Sequence, residues 1–153
     1  MYAIIRLDYS LCLKEVITLR RPVYFINKYH KSNYLRLLEI VGSDKKECSP
    51  SSYILASVGI MEENEGAIAT IERYFFPDRV DFEALLKDLG SDASSRALIK
   101  LAANLYDSAN YANTNDVFTA LDDIYQAVAY QALLLKFPSF SKTWDSRYPE
   151  FKE

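Results

Sequence analysis

The sequence predicts an all-α fold: a single compact domain of about six or seven helices over residues 1–138, followed by an aromatic-containing C-terminal tail, residues 139–153. Three observations predict it. Between Ser95 and Asp107 the polar residues Arg96, Lys100, Asn104 and Asp107 recur at helical spacing, and Leu98, Ile99, Leu101, Ala102 and Leu105 fill the rest. A helix with so thin a polar stripe needs other helices on most of its sides. Four Gly and five Pro in 153 residues favour long elements over a loop-rich β fold. Finally, Asn27, Ser49, Asp81 and Asp122 precede apolar-periodic runs, and such side chains accept the orphan N–H groups of a first helical turn.

The elements follow in order. Over residues 2–19, Ile5, Tyr9, Cys12, Val16 and Leu19 keep helical spacing, while Ile5, Leu7, Tyr9, Leu11 and Leu13 keep strand spacing. Helix is the preferred reading, because a lone strand would lack a partner. Pro22 ends it. Val23–Ile26 is a short extended lead into a helix capped by Asn27 and running to Val41, where Gly42 supplies a stop. Its apolar stripe is His30, Tyr34, Leu37, Leu38 and Val41, with Lys28, Lys31, Ser32, Arg36 and Glu39 facing away.

Gly42–Ser49 is a polar loop, with Ser49 as N-cap and Pro50 at the first helical position. Cys48–Met61 contains no charge and reads as a buried core helix, too short to cross a bilayer. Ala67–Phe76 is helical up to Pro77, and Phe82–Leu89 is a short helix closed by Gly90. The long apolar helix starts at Ser95. Ser108–Asn115 is a loop, Asp116–Leu121 about one turn, and Asp122 caps a last helix that reaches Phe137 before Pro138. The expected core includes Leu98, Leu101, Leu105, Val128 and Leu135, which oppose the polar stripes of their helices.

Charge and motif content narrow the function classes. Net charge is −3, but residues 1–48 carry nine Lys/Arg against five Asp/Glu, and residues 49–153 nine against sixteen. The acidic total argues against non-specific nucleic-acid binding, which needs cations against phosphate. No apolar run approaches the ~20 residues of a membrane span, and the start Met-Tyr-Ala-Ile-Ile-Arg lacks the layout of a signal peptide. A cytoplasmic protein without a membrane span is expected. Cys12 and Cys48 show no CxxC or zinc spacing and read as reduced structural thiols, with a disulfide as the alternative. Phosphate-loop, dinucleotide, zinc-protease and serine-hydrolase signatures are all missing from the sequence.

With one histidine, His30, a multi-His metal site is ruled out, and no cofactor or metal is expected. His30 lies on an apolar stripe and reads as a core histidine bonded to Asn33 or to a backbone carbonyl. The carboxylate pairs Glu62-Glu63, Asp122-Asp123 and Asp78 with Asp81 sit at helix starts or in loops, where capping outweighs acid–base work. Lys28, Lys31 and Arg36 interleave with Tyr29, a pattern that can hold single strands but also marks any solvated helix face. No catalytic residue is assigned.

Phe25-Ile26-Asn27-Lys28-Tyr29-His30-Lys31-Ser32-Asn33-Tyr34, then Leu37-Leu38, resembles an F-x-N-x-x-H-x-x-N-Y…LL motif. Small helical proteins of unknown function from Gram-positive bacteria and their prophages carry that motif. Ser52-Tyr53-Ile54-Leu55-Ala56 is similar to their YILA segment, and Ser95–Tyr106 with Val117–Phe137 to their closing helix pair. The chain departs from them after Ala56, with Ser57-Val58-Gly59-Ile60 where the family tends to have Pro-Glu-Ile. The resemblance implies a compact helical fold and marks Asn27, His30, Asn33 and Tyr34 as motif positions, structural or binding.

The expected function is a non-enzymatic protein-interaction module, a prophage or mobile-element accessory that binds a protein partner or forms a homodimer. The alternatives are a small enzyme with a carboxylate/His30 pocket and a nucleic-acid-associated protein. Twelve Tyr, eight Phe and one Trp supply rings suited to rims and interfaces. In the tail, Phe140, Trp144, Tyr148 and Phe151 form a candidate interface that docks on a surface groove, in cis or on a second copy.

Overall fold

Burial in this protein centres on one helix. A computed structural model describes residues 23–41 and 49–138, and seven helices run through them: α1 (Lys28–Val41), α2 (Ser49–Leu55), α3 (Ile68–Arg73), α4 (Phe82–Leu89), α5 (Ala93–Tyr106), α6 (Thr114–Thr119) and α7 (Asp123–Lys136). The described residues contain no strand; Phe75 and Val80 form an isolated antiparallel bridge. On α5, Ala97, Leu98, Ile99, Leu101, Ala102, Ala103 and Leu105 are buried, while Arg96, Lys100 and Asp107 keep the narrow exposed stripe. Helices α2, α4, α6 and α7 pack on α5, α2 also packs on α7, and α1 closes over α2. The α2–α5 contact is close, and the Ser51 hydroxyl donates to the Ala102 carbonyl across it at 2.7 Å.

Three predicted caps are in place. Asn27 Oδ1 accepts from His30 N at 3.0 Å, Asp81 from Ala84 N at 3.0 Å and Asp122 from Tyr125 N at 2.9 Å. Two further caps correct the predicted boundaries. Asp92 accepts from Ser95 N and starts α5 at Ala93, and Asn113 accepts from Asp116 N and starts α6 at Thr114, inside the predicted loop. Ser49 is the first residue of α2 rather than its cap. Helix α3 is shorter than Ala67–Phe76, because Phe75 leaves it to pair with Val80.

The largest correction falls on Cys48–Met61, which is not one helix. Helix α2 ends at Leu55, yet Ala56, Ser57, Val58 and Ile60 stay buried. There the backbone tightens to i→i−3 bonds, Ser57 N to Ile54 O at 2.9 Å and Val58 N to Leu55 O at 3.2 Å. The Ser57 hydroxyl also donates to Ile54 O at 2.6 Å, competing for the acceptor a continuing helix would use. Gly59, at φ +72°, then turns the chain.

Of the predicted core, Leu98, Leu101, Leu105 and Val128 are buried. Leu135 is only half-buried, since the buried residues of α7 all lie between Tyr125 and Ala132. The predicted helix over residues 2–19 and the cysteines Cys12 and Cys48 lie outside the described residues. Leu101→Ala is expected to cost about 2–5 kcal/mol, as truncation in a packed core does. Leu135→Ala should cost clearly less; urea denaturation of the two variants measures both.

Candidate functional site

The motif residues of α1 all face one stretch of chain, residues 53–66. Asn27 caps the helix with its oxygen and donates Nδ2–H to Glu62 O at 2.6 Å. One turn later His30 accepts from Ile26 N at Nδ1, 3.3 Å, and donates from Nε2 to Tyr53 O at 2.9 Å. A further turn on, Asn33 Nδ2 donates to both Ala56 O, 3.2 Å, and Glu65 O, 2.8 Å. From the opposite side Tyr125 of α7 donates its hydroxyl to Ile60 O at 2.7 Å. Four side chains thus hold five backbone carbonyls.

Rings seal this arrangement. The His30 ring centroid lies 4.7 Å from that of Tyr53 and 5.2 Å from that of Phe25, the latter edge-on at 77°. Tyr34 meets Tyr53 edge-on at 5.7 Å. His30, Tyr34 and Tyr53 are all buried. The Tyr53 hydroxyl donates to Tyr24 O, and Tyr24 N donates to Gln131 Oε1 on α7 at 3.1 Å. Residues 23–26 are therefore pinned to α1, α2 and α7 together.

Electrostatics follow from burial. Desolvation pushes the His30 pKa down from 6.5 to about 4, against a smaller opposing effect of its bond to Tyr53. The ring is neutral at pH 7, its proton is on Nε2, and both nitrogens are engaged. Burial likewise raises the hydroxyl pKa of Tyr53, and that of Tyr125 to about 12, where Asp122 adds to the effect. Both phenols stay protonated and act as donors.

The loop needs special backbone. Gly66 sits at φ +68°, and a Cβ there would lie 2.6 Å from Val58 O and 2.8 Å from Ile60 Cγ1. Glu62 also has positive φ, 52°, and Asn64 Oδ1 ties the turn by accepting from Met61 N and Gly66 N.

A scan of family models matches residues 20–152 to a family of unknown function (DUF6075). The chain belongs to that family. Searches of curated proteins and of solved structures found no match. The two motifs singled out in the sequence, Phe25–Tyr34 and Ser52–Ala56, turn out to be each other's partners: His30 bonds Tyr53 O, Asn33 bonds Ala56 O, and the rings of Phe25, His30 and Tyr34 surround Tyr53. His30, Asn33 and Tyr34 are thus brought together against α2 and the turn that follows it, while Asn27 caps α1 and reaches Glu62 O further along the chain.

The remaining candidates separate. Glu62, Glu63, Asp78, Asp81, Asp122 and Asp123 are exposed, and Asp81 and Asp122 serve as caps. Among the described residues no three His, Cys, Asp or Glu side chains gather to hold a metal ion, and no helix is long and apolar enough to cross a membrane. On the basic face, Arg36 pairs with Glu72 at 2.8 Å and the Lys28 ammonium lies 5.0 Å from the Tyr29 ring centre. Phe140, Trp144, Tyr148 and Phe151 lie outside the described residues. Sequence reasoning missed Tyr125 and Gln131; the available signal was a polar-tipped residue on the core side of an otherwise apolar helix.

Two outcomes are expected. Below pH ~6.5 the unfolded chain takes up a proton on His30 that the folded ring binds only near pH 4. Stability from this group is therefore full above 6.5 and falls as pH drops toward 4, by roughly 3 kcal/mol in total. His30→Gln should lower stability at pH 7 and flatten that part of the profile, which unfolding series at several pH values would show. Gly66→Ala should cost about 2 kcal/mol or more, from left-handed backbone plus the clash with Val58 O, read as a shifted thermal midpoint.

Proposed function

We propose that this protein is a non-enzymatic interaction module of the bacterial cytoplasm, a prophage or mobile-element accessory that binds a protein partner through the outer face of α7. One observation carries the reading. From Ile124 to Leu135 helix α7 has no charged residue, and its two glutamines point inward. Gln126 donates to Phe118 O and Leu121 O at 3.0 Å each, and Gln131 holds Tyr24. The outward side is left to apolar residues, with Ile124 50%, Tyr130 55% and Phe137 55% exposed. A helix that is apolar all round belongs in an interior, and aromatic anchors dominate interface energies.

The motif residues support this division of labour. Asn27, His30 and Asn33 spend their donors on backbone carbonyls, and His30 is neutral with both nitrogens occupied. The bacterial and prophage setting draws support from the resemblance of Phe25–Tyr34 to proteins of Gram-positive bacteria and their prophages.

The test is affinity capture with the full chain. A protein that co-purifies in fixed stoichiometry should bind Tyr130→Lys roughly 30-fold more weakly or worse, as loss of an aromatic hot spot does. It should bind folded His30→Gln unchanged. Capture that depends on His30 in a folded variant, or turnover that disappears with it, would contradict the reading.

A further inference from the structure

The outer side of α7 is bare of charge along most of its length, and the order of its side chains suits one occupant. We propose that this occupant is a second copy of the chain, whose α7 lies antiparallel on the first about a two-fold axis through Tyr130. This inference rests on the reading of α7 as a contact face and names the partner it takes.

Charge disfavours self-pairing on the other outward helix sides. Among the described residues α1 exposes Lys31 and Arg36, α4 exposes Lys87 and Asp88, and α5 exposes Arg96 and Lys100. Pairing such a side with itself takes ions out of water at a cost of several kcal/mol each, and charged residues are depleted from interface cores. From Ile124 to Leu135 helix α7 carries none.

The order of side chains on α7 is complementary to its own reverse. Ala127, Tyr130, Leu134 and Phe137 recur at intervals of three, four and three, the seam spacing of two packed helices. Tyr130 and Phe137 are exposed, and Ala127 and Leu134 are half-buried. With Tyr130 on the axis it meets its own equivalent. Ala127 then falls opposite Leu134 of the second copy, and exposed Ile124 opposite Phe137. Small thus faces large on both sides of the axis, the alternation that fills a seam. Such self-complementarity is what an isologous two-fold interface requires.

Charge at the helix ends sets the direction. Asp123 stands in the first turn, beside the cap Asp122, and Lys136 in the last. In an antiparallel pair the acidic end of each α7 comes to the basic end of the other, twice by symmetry. A parallel pair would set acid against acid and base against base.

The contact is small. Helix α7 has 14 residues, about 21 Å of a cylinder about 10 Å wide, which falls well short of the roughly 800 Å² per partner of a standard interface. The dimer is therefore weak, with a dissociation constant in the micromolar range or above.

Sedimentation of the full chain over a range of concentrations tests this. Monomer should give way to dimer as concentration rises. Tyr130→Lys sets two cations face to face on the axis and should remove the dimer, with the melting midpoint kept because residue 130 is exposed. Tyr130→Glu should do the same, and either variant decides this point if the other fails to fold. An equimolar mixture of the two should restore the dimer, since a two-fold through residue 130 brings the opposite charges together. Wild-type chain that stays monomeric near millimolar concentration would overturn the proposal and leave the interaction reading to its own capture test. A dimer indifferent to both substitutions, or a mixture that stays monomeric, would overturn it as well.

Discussion

The structure depends on satisfying carbonyl groups where α2 stops inside the core. A helix that ends at Leu55 while Ala56, Ser57, Val58 and Ile60 stay buried leaves acceptors with no intrahelical partner and little access to water. Each one left bare would cost about 1–3 kcal/mol. Side chains from two other helices meet this demand: His30 and Asn33 from α1, through Tyr53 O and Ala56 O, and Tyr125 from α7, through Ile60 O. The same contacts set where α1 lies on α2, and through Tyr53, Tyr24 and Gln131 they tie the lead-in segment, residues 23–26, to α7. The apolar packing on α5 supplies bulk burial, and this polar clamp selects one arrangement of α1, α2 and α7.

That constraint bears on function. An Asn-x-x-His-x-x-Asn pattern invites a chemical reading, since its residue types bind metals and move protons. Here each group is committed to the fold. A histidine whose nitrogens bond Ile26 and Tyr53, inside a shell of Phe25, Tyr34 and Tyr53, has neither a free lone pair nor a charge at neutral pH. On α7, by contrast, Ile124 and Tyr130 stand exposed, against the ordinary rule that an outer helix face is polar.

The sequence already carried much of this architecture. The α5 stripe of Arg96, Lys100, Asn104 and Asp107 and the caps at Asn27, Asp81 and Asp122 are local signals that tertiary contacts did not override. His30 on the stripe of α1, bonded to a backbone carbonyl, was also legible. The end of α2 was not, because the run Ser49–Ile60 carries no charge and its serines give no polar stripe, and periodicity does not separate a buried helix from a buried turn. The caps Asp92 and Asn113 were hidden among neighbouring Ser, Asn and Asp of similar capping power. Asn33 was recognised as a motif position, but its bonds to Ala56 and Glu65, like that of Tyr125 to Ile60, join residues far apart in sequence. No spacing rule reaches such pairs.

The central claim is that the motif histidine is a neutral structural donor. His30 is the chain's one histidine, so its imidazole nitrogens are unambiguous in a 15N NMR spectrum. Followed from neutral pH down to about pH 5, the folded protein should show a neutral ring protonated at Nε2, with shifts that do not titrate. A ring that titrates near its ordinary pKa, or carries its proton on Nδ1, would contradict the account.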